Sequence, residues 1–108
     1  MTEPIAGPSG AGTVVLDLGA GIGVLVLYTP ASMDGHEIEI SPSGQAGSGQ
    51  VRRTHARVRR RDTMTGTVYA AVYPCLPAGE YVIWRDDQRW AGRATITGGQ
   101  VTTCEWPG

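Results

Sequence analysis

Apolar and β-branched residues arrive along this chain in short runs, each closed by turn-forming residues. The runs are 13–18 (TVVLDL), 23–29 (GVLVLYT), 36–40 (HEIEI), 51–60 (VRRTHARVRR), 67–73 (TVYAAVY), 80–85 (EYVIWR), 93–97 (RATIT) and 100–106 (QVTTCEW). Several alternate with a period of two, the spacing that sends successive side chains to opposite faces of a strand. In 36–40, Ile38 and Ile40 share one face and Glu37 and Glu39 the other; in 67–73, Val68, Ala70 and Val72 share a face. No segment carries a 3.6-residue apolar stripe over ten residues or more, so no helix is expected.

Turn chemistry separates the runs. Residues 41–50 form a Gly/Ser-rich flexible loop, 62–66 (DTMTG) reverse the chain, Pro77-Ala78-Gly79 precedes the 80–85 strand, and Asp86-Asp87-Gln88 follows it. Gly98-Gly99 between two such runs is a two-residue hairpin signal. The pattern predicts an all-β fold: a single antiparallel β-sandwich of seven or eight short strands. Residues 1–12, rich in Pro, Gly, Ala and Ser and without periodicity, read as a disordered tail; residues 13–108 form the domain.

Composition narrows the setting. A chain of 108 residues makes one domain with one modest core. The net charge of -1 creates no overall demand for nucleic acid or an anionic membrane. All nine basic residues are Arg, and Lys, Asn and Phe are absent, a codon bias of high-GC genomes such as those of actinobacteria. No apolar run reaches the roughly 18 residues of a membrane helix. The first residues, MTEPIAGPSGAG, lack the basic start and apolar stretch of a signal peptide, so a cytoplasmic location is expected, with Cys75 and Cys104 reduced.

The run LDLGAGIG, residues 16–23, raises the sharpest functional question. Asp17, Gly19, Gly21 and Gly23 resemble the acid-and-glycine loop of S-adenosylmethionine-dependent methyltransferases, and Glu39 stands near where those enzymes carry a ribose-binding acid. That loop must open a helix whose N-terminus cradles the cofactor. Here Val24 to Thr29 favour a strand, and Pro30 would fall inside the third turn. A doubly wound sheet also needs helices that the chain does not hold. The glycines therefore read as a hairpin turn between 13–18 and 23–29, with positive φ supplied by Gly.

A second resemblance spans nearly the whole chain. The segments GHEIEISPSG, GTVYAAVYPCLPAGEYVIW and ATITGGQVT resemble a set of small actinobacterial proteins. More loosely, they resemble transthyretin-like (prealbumin-like) and carboxypeptidase-regulatory-like sandwiches and the B-type repeats of bacterial adhesins. The resemblance implies a hairpin of 67–73 and 80–85 joined through 74–79. It implies a fold and no chemistry. The Lys–Asn isopeptide bond of many adhesin repeats has neither of its residues here.

Candidate chemistry rests on few residues. On strand 51–60, Arg53, His55, Arg57 and Arg59 share one face. If 36–40 pairs with it, Glu37 and Glu39 meet that stripe in cross-strand ion pairs. Read more sharply, Arg53, His55 and Arg57 offer a site for an anion or an acidic partner. His36 and His55 with Glu37 could hold a transition metal if the strands bring them together. Trp90, beside a charged turn, is the Trp expected to be exposed and able to stack on a sugar ring. The cysteines read as small buried hydrophobes, with a disulfide left open. No nucleophile–base motif is present, and Glu37 and Glu39, roughly 7 Å apart by strand rise, have nothing to separate their pKa values.

The sequence thus predicts a non-catalytic binding or interaction module, with no nucleic-acid or membrane partner. Its expected partner is a protein or a second copy through a strand edge. The alternatives are a metal or small-ligand site at His36 and His55, and carbohydrate binding by an exposed Trp. No resident cofactor is expected beyond that possible transition metal.

Overall fold

A computed structural model of the chain describes residues 21–45 and 53–108. The tail 1–12, the strand expected at 13–18, residues 46–50 of the 41–50 loop, and Val51 and Arg52 lie outside the described residues. Eight strands are present: β1 (Ile22–Thr29), β2 (Glu37–Pro42), β3 (Thr54–Arg57), β4 (Arg59–Thr63), β5 (Gly66–Pro77), β6 (Gly79–Trp84), β7 (Trp90–Ile96) and β8 (Val101–Glu105). They form two four-stranded sheets, in the orders β4-β5-β1-β8 and β3-β2-β6-β7. The all-β sandwich expected from the alternation is the observed fold. Among the described residues no helix is long and apolar enough to cross a membrane.

The alternation builds the core directly. Leu25 and Leu27 of β1 and Ala71 and Tyr73 of β5 face inward from the first sheet, with Leu25 opposite Tyr73 and Leu27 opposite Ala71. Ile38, Ile40, Tyr81, Ile83, Ala94 and Ile96 meet them from the second. A buried polar link crosses between the sheets: the Tyr73 hydroxyl donates to the Ile38 carbonyl at 2.6 Å. Burial is the main stabiliser here, at roughly 1.5–3 kcal/mol for each large apolar side chain taken out of water.

At three places the chain changes sheets where the sequence predicts one strand (51–60) or a hairpin (74–79 and 98–99), for one physical reason. A period of two marks a strand but does not say which sheet it joins. The run 51–60 is two strands, β3 and β4, in different sheets. The break falls at Val58, which is fully buried; its N–H donates to the His36 carbonyl and its own carbonyl accepts from Gly35. Arg59 therefore leaves the stripe of Arg53, His55 and Arg57. The 74–79 connection is a corner: β5 runs through Pro77 in the first sheet and β6 begins at Gly79 in the second. The Tyr81 hydroxyl bridges that corner to the Pro77 carbonyl at 2.6 Å. Gly98-Gly99 likewise carries the chain from β7 in one sheet to β8 in the other. The Gly99 N–H bonds to the Ile22 carbonyl, so β8 joins β1, and joins it parallel.

β1 pairs with β5 along one edge and with β8 along the other. Gly23 serves packing and not a turn. It lies inside β1, where a Cβ would stand 2.5 Å from the Thr97 carbonyl oxygen and 2.8 Å from Ile96 Cγ2. The positive φ angles among the described glycines belong to Gly35, Gly66, Gly79 and Gly99.

Candidate functional site

The polar face of the second sheet arises from the register of β2 and β3. Glu37 stands opposite Arg57 and Glu39 opposite His55, as the alternation required. His55 Nδ1 lies 3.2 Å from Glu37 Oε1, and Arg57 3.3 Å from Glu37 Oε2. Arg53 is held from three sides. Its guanidinium donates to Glu39 at 2.8 Å and to the Asp87 carbonyl at 2.8 Å, and lies 3.8 Å from the centre of the Trp84 ring. Trp84 donates in turn to the buried Ser41 hydroxyl at 2.9 Å. The arginine stripe is thus matched by carboxylates and an indole from its own sheet. It is a cross-strand charge ladder, each exposed pair worth ~0.2–1 kcal/mol.

The expected metal set is not assembled. His36 bonds through its backbone to Val58, whereas His55 stands opposite Glu39, three residues further along β2. That spacing separates the two histidines by roughly 10 Å along the strands. No group of three His, Cys, Asp or Glu side chains that could hold an ion occurs among the described residues. Cys75 and Cys104 are free thiols, the first exposed and the second half-buried, where burial pushes its thiol pKa up. Trp90 is 48% exposed, as expected, and Arg93 sits over its ring at 5.0 Å.

A hollow lies on the first sheet. It is an open cleft of about 550 Å³ walled by Tyr28, Tyr69 and Trp106, with Pro30 and Val68 beside them and Thr29, Thr67 and Glu105 as polar groups. Its volume falls in the range of small-molecule sites. The cleft comes from the register of β1 with two neighbours: Thr29 stands opposite Tyr69 on β5, and Tyr28 opposite Glu105 on β8. The Trp106 N–H donates to the Tyr28 carbonyl at 2.7 Å and extends the parallel ladder by one residue. Tyr69 and Trp106 pack on the core from one side and border the cleft from the other, which fixes both rings.

The polar groups of the cleft are biased toward accepting. The Thr29 hydroxyl donates to the Pro30 carbonyl at 3.0 Å and the Thr67 hydroxyl to Asp62 at 3.0 Å. Both oxygens keep lone pairs for a guest but have spent their protons. Glu105 forms no salt bridge among the described residues. Sequence reasoning named none of Tyr28, Tyr69, Glu105 and Trp106 as site residues. These residues sit at 28, 69 and 105–106, and only the parallel β1–β8 pairing unites them. No family model, curated protein or solved structure matches the chain.

Proposed function

We propose that this chain is a non-catalytic binding module on a transthyretin-like β-sandwich, and that its ligand enters the aromatic cleft between Tyr28, Tyr69 and Trp106. The observation that carries the reading is the cleft itself: it is lined by residues of β1, β5 and the end of β8, among them Tyr69 and Trp106, which also pack against the core. Concave sites of this size, mostly apolar with a few placed polar groups, are the common form of small-ligand sites. The lining holds one carboxylate and neither histidine nor cysteine, a composition suited to holding a guest and short of an acid–base pair. The two stacked four-stranded sheets support the transthyretin-like assignment.

The test is a fragment titration followed by two-dimensional NMR, with the indole N–H of Trp106 assigned by Trp106→Phe. Shifts confined to residues 28–31, 67–69 and 105–106 are expected. Shifts confined to the β2–β3 face would place the site at the charge ladder and overturn the reading, as would turnover of a bound fragment.

A further inference from the structure

We propose that the outer face of the first sheet is a self-association surface, on which two copies of this chain pack about a two-fold axis. This surface is separate from the ligand of the cleft, although Tyr28 and Glu105 border both.

The two solvent faces of the sandwich are unlike. On the second sheet the outer face carries the charge ladder of Glu37, Glu39, His55 and Arg57, with Arg53 laid over Trp84. On the first sheet the central strands are apolar on both faces. Leu25, Leu27, Ala71 and Tyr73 point into the core. Val24, Val26 and Tyr28 of β1 and Ala70 and Val72 of β5 alternate with them and point outward. Val101 of β8, opposite Val24, extends the patch and is 40% exposed. An antiparallel sheet with one face in water alternates apolar with polar residues, and β1 and β5 do not. An apolar face of this kind on a small domain marks a contact surface.

The occupant follows from one row across the sheet. Arg59 of β4 stands opposite Ala70 of β5, Ala70 opposite Tyr28 of β1, and Tyr28 opposite Glu105 of β8. The row begins with a cation and ends with a carboxylate, three strand spacings or roughly 14 Å apart, too far to pair within one chain. Both are exposed, and neither forms a salt bridge among the described residues. A two-fold axis along the strands, midway between β5 and β1, keeps each row in place and reverses its order. Arg59 of one copy then faces Glu105 of the other at both ends of the row, and Tyr28 lies over Ala70, large on small. In the next row Val26 lies over Val72 in the same way. An axis across the strands would instead set β4 on β4 and β8 on β8, like charge toward like charge. Charge and shape together select a second copy, self-complementary about one axis. Four strands at about 4.8 Å and five residues at about 3.3 Å outline a face of roughly 300 Å². That is the small end of specific interfaces, so a weak dimer with a micromolar Kd is expected.

The test is sedimentation of the full chain from micromolar to millimolar concentration at low ionic strength. A monomer–dimer equilibrium is expected. Arg59→Glu and Glu105→Arg, both at exposed positions, should each weaken it about tenfold or more, because each leaves like charges facing one another. The double variant Arg59→Glu/Glu105→Arg should restore the dimer to within about threefold, a rescue that only a contact between copies can supply. A dimer indifferent to all three variants would overturn the face and place the contact elsewhere, as at a strand edge. A chain monomeric throughout the range would overturn the proposal. Nuclear Overhauser contacts from the Val26 and Val72 methyls to residues 13–18 of the same chain would then assign the cover to that run.

Discussion

Replacing Tyr73 with Phe removes one oxygen atom and leaves the packing almost unchanged. The hydroxyl is a buried polar link between the two sheets, donating to the Ile38 carbonyl at 2.6 Å from a side chain only 1% exposed. A hydrogen bond of this kind contributes about 1 kcal/mol net, and leaving a buried acceptor unmet costs about 1–3 kcal/mol, so a loss of about 1.5 kcal/mol is expected. With an unfolding entropy of about 2.1 cal/mol/K per residue, that loss lowers Tm by roughly 6–7 °C. The assay is calorimetric or circular-dichroism melting of Tyr73→Phe beside Tyr28→Phe, a half-exposed control expected to stay within about 0.5 kcal/mol. A Tyr73→Phe shift below about 2 °C would refute the reasoning, because it would mean the sheets do not depend on that bond.

The same residue governs behaviour at high pH. Burial raises the Tyr73 pKa far above the ordinary tyrosine value, and the Cys104 thiolate and Glu39 carboxylate add to it. The folded chain therefore keeps its proton where the unfolded chain, titrating near 10, releases it. The resulting stability is complete below about pH 10 and is lost as pH rises above it, by up to about 1.4 kcal/mol per pH unit.

Four further outcomes follow from the structure. Tyr73→Phe should flatten the alkaline limb of the stability curve, read by urea unfolding from pH 8 to 11; a limb as steep as the parent's would count against the buried hydroxyl. Gly23→Ala should cost about 1–3 kcal/mol, because its Cβ meets the Thr97 carbonyl, which is backbone and must move; a Tm within 1–2 °C of the parent would show that the β7–β8 turn does not press on β1. The Asp86 carboxyl is held below the usual range, first by the Gln88 backbone N–H and also by Arg89. Its ordering of the turn should hold above the ordinary carboxylate pKa and fade as pH falls through the lowered value. Hydrogen exchange at the Gln88 and Arg89 amides, quickened by Asp86→Ala, checks this; unchanged exchange would contradict it. Native-state alkylation should label Cys75 first and Cys104 slowly, as exposure and the raised thiol pKa require; equal rates would contradict the burial of Cys104.

Much of the fold was legible because burial writes itself as alternation. Ile38 and Ile40 facing in, with Glu37 and Glu39 facing out to His55 and Arg57, follow from a period of two and one pairing. What was not legible is where a strand changes sheets. Val58 looks like any apolar residue of an arginine-rich run, yet the break falls at it because it is drawn into the core between the sheets. Gly98-Gly99 carries a hairpin signature and makes a tight turn, but its backbone bonds go to β1. The cleft was hidden for the same reason. Tyr28, Tyr69 and Trp106 are far apart in sequence, and a parallel pair between the first described strand and the last has no local mark. The charge ladder, by contrast, was visible because both of its strands are near neighbours in the chain.

The most direct test of the account is to record intermolecular nuclear Overhauser contacts from the protons of a bound small-molecule fragment to the protein's aromatic rings. The account predicts contacts to Tyr69 and Trp106 together, from one bound guest. Contacts to Trp90 alone, or to none of the rings, would contradict it.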